Sequence, residues 1–311
     1  MISVTLPIDR AISRTRNMLF TPFDLEKWFV LGFCAFLAGL VEAGGGGFNV
    51  RSPMPQHYKM PQLGGFEQAS AWLMGHLPLV VGLGLGLLVL VIALTTLFQW
   101  LGSRGQLMFL DGVIHDRAAV VEPWQRFRDL GNDLFVFRFL LGLCSLGVFA
   151  LLGFLGWSIA RPDIAAHQFG SAALLALVVA GGPALLVVLA LLLVSLLLGD
   201  FIVPLMYHLN IRTGQAFGVL WKEIIPGHGG SFVLFYLMKL VLTVAAGLIV
   251  VLGTCCTCCL LALPYLGSVA FLPLWVFFRS YSLYFLEQFG EDWRLLDGPA
   301  VQPADGDRRE A

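Results

Sequence analysis

Long apolar runs separated by short polar connections make up most of the chain. The runs are continuous rather than alternating, and a helix needs about 20 apolar residues to cross the hydrocarbon core of a bilayer. Isolated strands would leave their backbone unpaired in lipid, so the runs predict helices. We predict an all-α integral membrane protein, one bundle of six transmembrane helices. The predicted spans lie near residues 25–41, 73–101, 134–159, 172–200, 232–256 and 260–286.

The same pattern predicts the domain organisation. Residues 1–296 form a single polytopic membrane domain, and the polar, charged residues 297–311 form a disordered cytoplasmic tail. The run at 25–41 is short, so it could cross the bilayer or be re-entrant. In the fourth run, the sequence Gly181-Gly182-Pro183 is predicted to kink or break the helix.

Composition narrows the class of protein. Hydrophobic residues make up 58 % and charged residues 13 % of the 311 residues, whereas a soluble domain has roughly 45–50 % apolar and about 25 % charged residues. This excludes a disordered chain, a coiled coil and an ordinary soluble domain. The formal net charge of -1 gives no electrostatic reason for binding nucleic acid. The predicted partners are the lipid bilayer and other membrane proteins.

The positions of lysine and arginine predict the orientation. Most of the 19 lie in the N-terminal arm, at 103–133, at 201–231 and in the tail, which all fall on one side of a six-span protein. The opposite side carries Arg51, Lys59 and Arg161. Because cytoplasmic connections are enriched in basic residues, we predict that both termini are cytoplasmic.

An internal repeat is indicated by three stretches, at 10–29, 117–135 and 212–232. Each has basic residues and a tryptophan, and each ends in aromatic and apolar residues that enter a span. We interpret them as three units, each an interfacial elbow helix followed by a two-span hairpin. The alternative is that membrane interfaces favour these residue types wherever a helix enters the bilayer.

Several strings resemble those of a family of bacterial multi-pass inner-membrane proteins of unknown function. They are FDLEKWF at 23–29, RAAVVEPW at 117–124, LPYLG at 263–267 and YSLYFLEQFG at 281–290. The elbow-and-hairpin plan is more distantly similar to the membrane domain attached to some glycerophosphodiester phosphodiesterases. The resemblance implies a helical fold in a bacterial inner membrane. It implies no substrate, and no phosphodiesterase domain is present to carry that activity.

Three charged residues within the apolar runs form a candidate intramembrane charge cluster, Asp200, Lys239 and Arg279. An aspartate at the centre of a span costs roughly 2.5–3.5 kcal/mol on insertion scales, so it tends to pair or to line a cavity. Arg279 is the predicted partner of Asp200, and Lys239 is the alternative. The competing interpretation places Asp200 at the interface, with both basic side chains extended to the headgroups.

Four cysteines lie within six residues, at Cys255, Cys256, Cys258 and Cys259. A zinc site usually takes two separated pairs of ligands, so one hexapeptide is a poor zinc motif. Packing residues in a crowded helix end and a disulfide in an oxidising compartment are the two interpretations left open.

The polar segment 108–124 and the residues after it form a candidate cytoplasmic surface for lipid or a partner. Asp111 and His115 lie one helical turn apart, which suits a ligand pair, but no third ligand occurs at a recognisable spacing. Charged elbow helices on a membrane surface are the preferred interpretation. The predicted surface comprises Asp111, Arg117, Glu122, Trp124, Arg126 and Arg128.

Function is constrained mainly by missing motifs. No Walker A loop, nucleophile elbow, dinucleotide fingerprint or zinc-protease frame occurs. No cofactor, metal or catalytic residue is therefore predicted. The leading hypothesis is a non-catalytic scaffold, assembly or regulatory membrane component. The first alternative is a transporter or channel component with a polar path near Asp200 and Arg279, and the second is a membrane enzyme acting on lipid.

Overall fold

A computed structural model describes residues 2–45, 77–166, 168, 170–256 and 263–296. Throughout these ranges the regular structure is helical. The tail at 297–311, the glycine-rich connection and Cys258 and Cys259 lie outside the described residues, so the predictions made for them stay predictions.

Ten helices account for most of the described chain. They are α1 Leu6–Phe20, α2 Leu25–Gly45, α3 Leu77–His115, α4 Val121–Arg126, α5 Arg128–Ala165, α6 Ser171–Leu209, α7 Thr213–Val219, α8 Gly229–Cys256, α9 Pro264–Ala270 and α10 Leu272–Leu286. Two single 3-10 turns, Glu287–Phe289 and Glu291–Trp293, follow α10.

Four helices are long and apolar enough to cross a membrane. Within the described residues they are Val81–His115, Arg128–Ala165, Ser171–Leu209 and Gly229–Cys256, which lie in α3, α5, α6 and α8. The all-helical class and the membrane character are confirmed to this extent.

The last predicted span differs from the prediction of one continuous helix at 260–286. The chain turns at Phe271 and divides into α9 and α10. Pro273 lies in the first turn of α10, where its missing N–H costs nothing, and it cannot extend a helix from the preceding segment.

Helix α3 continues well past the predicted end of its span at residue 101. Apolar side chains on its last turns, among them Leu107 and Leu110, are fully buried. The helix ends only at His115, where Asp116 takes a left-handed conformation with φ 53°. The segment predicted as a surface connection is therefore largely a buried helix end.

Helix α6 is continuous, so of the two outcomes predicted at Gly181-Gly182-Pro183, a kink or a break, the break is absent. The helix instead widens into a π-turn at Leu177–Gly181 and again at Leu198–Ile202. A third π-turn, Leu220–Ile224, follows α7. Each described π-turn ends two residues before a proline, at Pro183, Pro204 and Pro226.

Proline explains this recurrence. A proline has no N–H for the carbonyl four residues earlier, and its ring clashes with that carbonyl. A π-turn accommodates the extra space within a continuing helix, and such turns are frequent at functional sites. Only the turn before Pro204 contains an acidic residue in a span, Asp200.

The core lies at one end of the long helices. Buried side chains come from the end of α3, the start of α5, the end of α6 and the start of α8, joined by α1, α2 and α10. Toward the opposite end, leucines and valines of the same helices are exposed. The short helices α1, α4 and α7 each precede a long helix at the packed end.

Glycine allows α2 and α3 to approach closely. A Cβ on Gly105 would lie 2.5 Å from Leu37 Cβ and 2.7 Å from the Leu37 carbonyl carbon. An earlier glycine series on α3, Gly82, Gly84 and Gly86, has nothing within 4 Å of such an atom. The close-packing role therefore belongs to Gly105 and its neighbours, not to the earlier glycine series.

Candidate functional site

Asp200 forms an ion pair with Lys239 inside the bundle. Asp200 is 6 % exposed, and its Oδ1 accepts a hydrogen bond from Lys239 Nζ at 2.5 Å. The pair joins α6 to α8. Lys239, the alternative partner considered from the sequence, thus forms an ion pair with Asp200, and the pairing of Asp200 with Arg279 stays a prediction.

Arg279 contacts the same π-turn by a different route. Its Nη1 donates a hydrogen bond to the carbonyl oxygen of Gly199, the residue before Asp200, at 2.5 Å. Arg279 is 8 % exposed and lies on α10. The three predicted charges therefore meet at one place, where α6, α8 and α10 come together. We call Asp200, Lys239, Arg279 and Tyr236 the Asp200 site.

Aromatic rings pack beside the Asp200 site, although the Lys239 side chain is 20 % exposed. Phe201 contacts Phe232, Phe235 and Phe285, with ring centroids 5.1 to 6.0 Å apart. Phe235 also stacks on Tyr281 at 5.0 Å. An apolar shell of this kind weakens the screening of the ion pair by water and makes an unpaired partner costly.

A second polar cluster lies where α3 and α6 end. Asp111 is fully buried; its Oδ1 accepts from the Tyr207 hydroxyl at 2.7 Å, and its Oδ2 accepts from Arg117 Nη2 at 2.9 Å. His115 Nδ1 lies 3.3 Å from Asp111 Oδ1. With Glu122, bound by Arg117 Nη1 at 2.9 Å, these residues form the Asp111 cluster.

The pKa of the Arg117 guanidinium is raised. Partial burial alone would lower it, but hydrogen bonds and charge from Asp111 and Glu122 outweigh that effect. Arg117 therefore stays charged and contacts the buried Asp111 carboxylate. The prediction that Asp111 lies on a surface is wrong, because α3 continues past residue 101 and places the Asp111 side chain in the core.

Among the remaining residues of the predicted surface, Trp124 packs against α3 and the charged residues are exposed. Trp124 packs against Trp100, and the Arg104 guanidinium lies 4.3 Å from the Trp100 ring centroid and 4.8 Å from that of Trp124. Glu122, Arg126 and Arg128 are exposed. Trp124 thus anchors α4 to α3.

Several structural polar residues were missed by sequence reasoning. Tyr207 binds Asp111, Arg104 Nη2 donates to Asn132 at 2.9 Å, and the buried Arg138 donates to Gln106 at 2.7 Å. Their shared signal is a series of polar residues at Ser103, Arg104, Gln106 and Asp111, spaced as on a helix. Continuing α3 through this series would have found them.

The described cysteines differ in burial: Cys34 lies in the core, whereas Cys144 is exposed. Cys255 and Cys256 are exposed free thiols at the end of α8, so the packing interpretation is wrong for these two. Within the described ranges, no three His, Cys, Asp or Glu residues are placed to hold a metal ion.

An open groove of ≈ 720 Å³ runs along α1 and is lined by Arg10, Ser13, Arg14, Asn17 and Tyr284, among others. This groove is not lined by Asp111, His115 or Glu122. These three residues therefore do not form a catalytic group within it. Arg14 instead donates from Nη2 to the carbonyl oxygens of Val113 and Ile114, both at 3.0 Å, near the end of α3.

Comparison with known proteins identifies a family of unknown function. No curated protein matches the chain. No solved structure matches it either, so the distant similarity to a phosphodiesterase-associated membrane domain stays a prediction. Residues 3–274 match a family of unknown function, DUF7544. The match covers most of the 311 residues, and the chain therefore belongs to the family DUF7544.

Proposed function

We propose that the protein is a non-catalytic membrane scaffold or assembly component, which binds partner membrane proteins through the outer halves of its long helices. One observation carries this proposal. Consecutive residues in the outer half of α3 are exposed on all sides, from Leu83 at 74 % to Leu90 at 54 %. Within the described chain, no helix covers this segment, so its whole circumference is available to lipid or to partner helices.

The use of the buried charges supports the same proposal. Asp200 and Lys239 neutralise each other, and Asp111 is held by Arg117 and Tyr207. Each contact joins one chain segment to another at the packed end. Charges engaged in this way stabilise an arrangement of helices and leave no free acid–base pair aimed at a substrate.

The topology remains part of the proposal. We propose six crossings, with α2 as the first and the segment containing α9 and α10 as the last. The pairing of α1, α4 and α7 with the helices that follow supports three elbow-and-hairpin units. The lysine and arginine bias supports cytoplasmic termini in a bacterial inner membrane.

Site-specific photocrosslinking in intact membranes tests the scaffold proposal. A photoreactive residue replaces Leu83 or Leu87 on the outer half of α3, and Leu134, which is fully buried, serves as the matched control position. The proposal predicts that both outer positions capture the same partner polypeptide and that position 134 captures none. Lipid adducts alone at both outer positions would contradict it.

A polar path for transport is the second candidate, favoured by the buried ion pair in a π-turn of α6. Such residues in spans often mark ion or proton paths. Flux through liposomes containing the purified protein tests it. Transport predicts flux that Asp200→Asn abolishes, whereas the scaffold proposal predicts no flux above that of protein-free liposomes.

A further inference from the structure

The groove along α1 presents a row of hydrogen-bond donors on one face of that helix. Arg10, Ser13, Arg14 and Asn17 line the groove and are spaced three or four residues apart, so they follow one face of α1. Tyr284 of α10 lines it as well, with its ring centroid 5.9 Å from the Arg10 guanidinium. The volume of ≈ 720 Å³ is in the range of pockets that hold small organic molecules.

The two arginines of the groove carry positive charge that the protein leaves largely uncompensated. The Arg10 side chain is 54 % exposed, and its ion pair with Glu287 is long, at 3.9 Å between Nη1 and Oε2. Such an exposed pair holds its members weakly. Arg14 donates to two backbone carbonyl oxygens and forms no ion pair within the described residues. Both guanidinium groups therefore remain available to an anion.

Two carboxylates also line the groove, and only one of them opposes the arginines. Asp116 is bound by Lys27 Nζ at 2.7 Å, so its charge is already neutralised. Asp9, in the first turn of α1, is the other. The lining is therefore positive on balance and favours an anionic ligand.

The exposed side of α1 carries large apolar side chains. Leu6, Ile12 and Phe20 are 48 to 53 % exposed, and Arg16, also exposed, lies between Ile12 and Phe20 in the same row of the helix. A helix that turns apolar side chains outward beside basic ones is typical of helices that lie in the headgroup region of a bilayer. The groove on the same helix then lies at the depth of phospholipid headgroups.

We infer that the groove binds the headgroup of an anionic phospholipid, with its phosphate held by Arg10 and Arg14 and its other oxygens by Ser13 and Asn17. Two charged donors beside two neutral ones suit a phosphate, whose oxygens accept several hydrogen bonds at once. A zwitterionic headgroup would bring its own cation next to both arginines, so an anionic lipid is favoured. This inference does not rest on the scaffold proposal, which concerns the outer halves of the long helices.

Lipid titration followed by native mass spectrometry tests the inference. The purified protein in detergent is titrated with phosphatidylglycerol, and the dissociation constant of the first bound lipid is measured. We expect Arg10→Gln to weaken binding about tenfold, the effect of losing one charged hydrogen bond. Arg16→Gln is the matched control, because it removes the same charge from an exposed position of α1 that does not line the groove, and it should leave binding unchanged. Equal losses in the two variants would overturn the inference.

Removing an acidic side chain gives a second test of opposite sign. Asp9→Asn should tighten binding of phosphatidylglycerol several-fold, because it removes the carboxylate that repels the phosphate. Glu26→Gln is the control, exposed and outside the groove, and should leave binding unchanged. Equal gains in both variants, or phosphatidylcholine binding as tightly as phosphatidylglycerol, would overturn the inference. Displacement of the lipid by inorganic phosphate at an equal concentration would also overturn it, because the ligand would then be a soluble phosphate.

Discussion

Tyr207 near the end of α6 donates its hydroxyl to Oδ1 of Asp111 near the end of α3, at 2.7 Å and across 96 positions of the sequence. Because Asp111 has no exposed surface, this bond and the Arg117 contact compensate the cost of burying a carboxylate. The two helices are thereby fixed to each other at the packed end of the bundle.

Tyr207→Phe is expected to destabilise the protein by about 1–3 kcal/mol, because the buried Oδ1 of Asp111 loses the hydrogen bond from the Tyr207 hydroxyl. Unfolding in detergent measures the change. The control is Tyr265→Phe, whose hydroxyl donates to the Phe29 carbonyl at an exposed site, at 3.2 Å. Equal losses in the two variants would show that the Asp111 cluster has no special role.

Gly105→Ala is expected to destabilise the bundle by about 1–3 kcal/mol, because the added methyl group overpacks the contact with α2. Its Cβ would meet the Leu37 backbone, which cannot move aside as a flexible side chain can. Gly84→Ala is the control; with nothing nearby, it should be neutral or gain up to about 1 kcal/mol from helix propensity. A Gly105→Ala variant as stable as Gly84→Ala would contradict the close approach of α2 and α3.

Pro204→Ala and Pro183→Ala should have opposite effects on stability. Each substitution restores an N–H and lets a π-turn relax toward an α-helix. At Pro183 no charged side chain lies in the preceding turn, so helicity and stability should rise. At Pro204 the relaxation turns Asp200 away from Lys239, so stability should fall. Thermal unfolding of both variants measures these changes in stability. A similar gain in stability in both variants would show that the Asp200–Lys239 ion pair does not depend on the π-turn.

Hydropathy was sufficient for the helical class because lipid imposes a simple rule, that a spanning backbone must pair with itself. The sequence also located Asp200, Lys239 and Arg279 as residues that need a reason to be in apolar runs. It did not decide which basic residue pairs with Asp200, because that depends on which helices are neighbours and on how the π-turn rotates α6.

The Asp111 cluster shows a different limit of sequence reasoning. Polar residues after an apolar run normally mark the end of a span, and on that ground the sequence predicts that α3 ends near residue 101. The helix continues because apolar side chains of its next turns, among them Leu107 and Leu110, are buried in the core. The polar face is buried as well, and its partners come from distant segments such as Tyr207.

The central claim is that the buried charges stabilise the bundle and that function resides in its outer apolar surface. Asp200→Leu, Lys239→Met and the double variant test this most directly, by membrane accumulation and by photocrosslinking from position 83. Breaking a buried pair costs about 3–5 kcal/mol, less where a partner is partly exposed, while replacing both members is often neutral. We predict that each single variant accumulates poorly and that the double variant recovers both accumulation and the partner crosslink. A double variant that accumulates normally but loses the crosslink, or that adds the two losses, would contradict the claim.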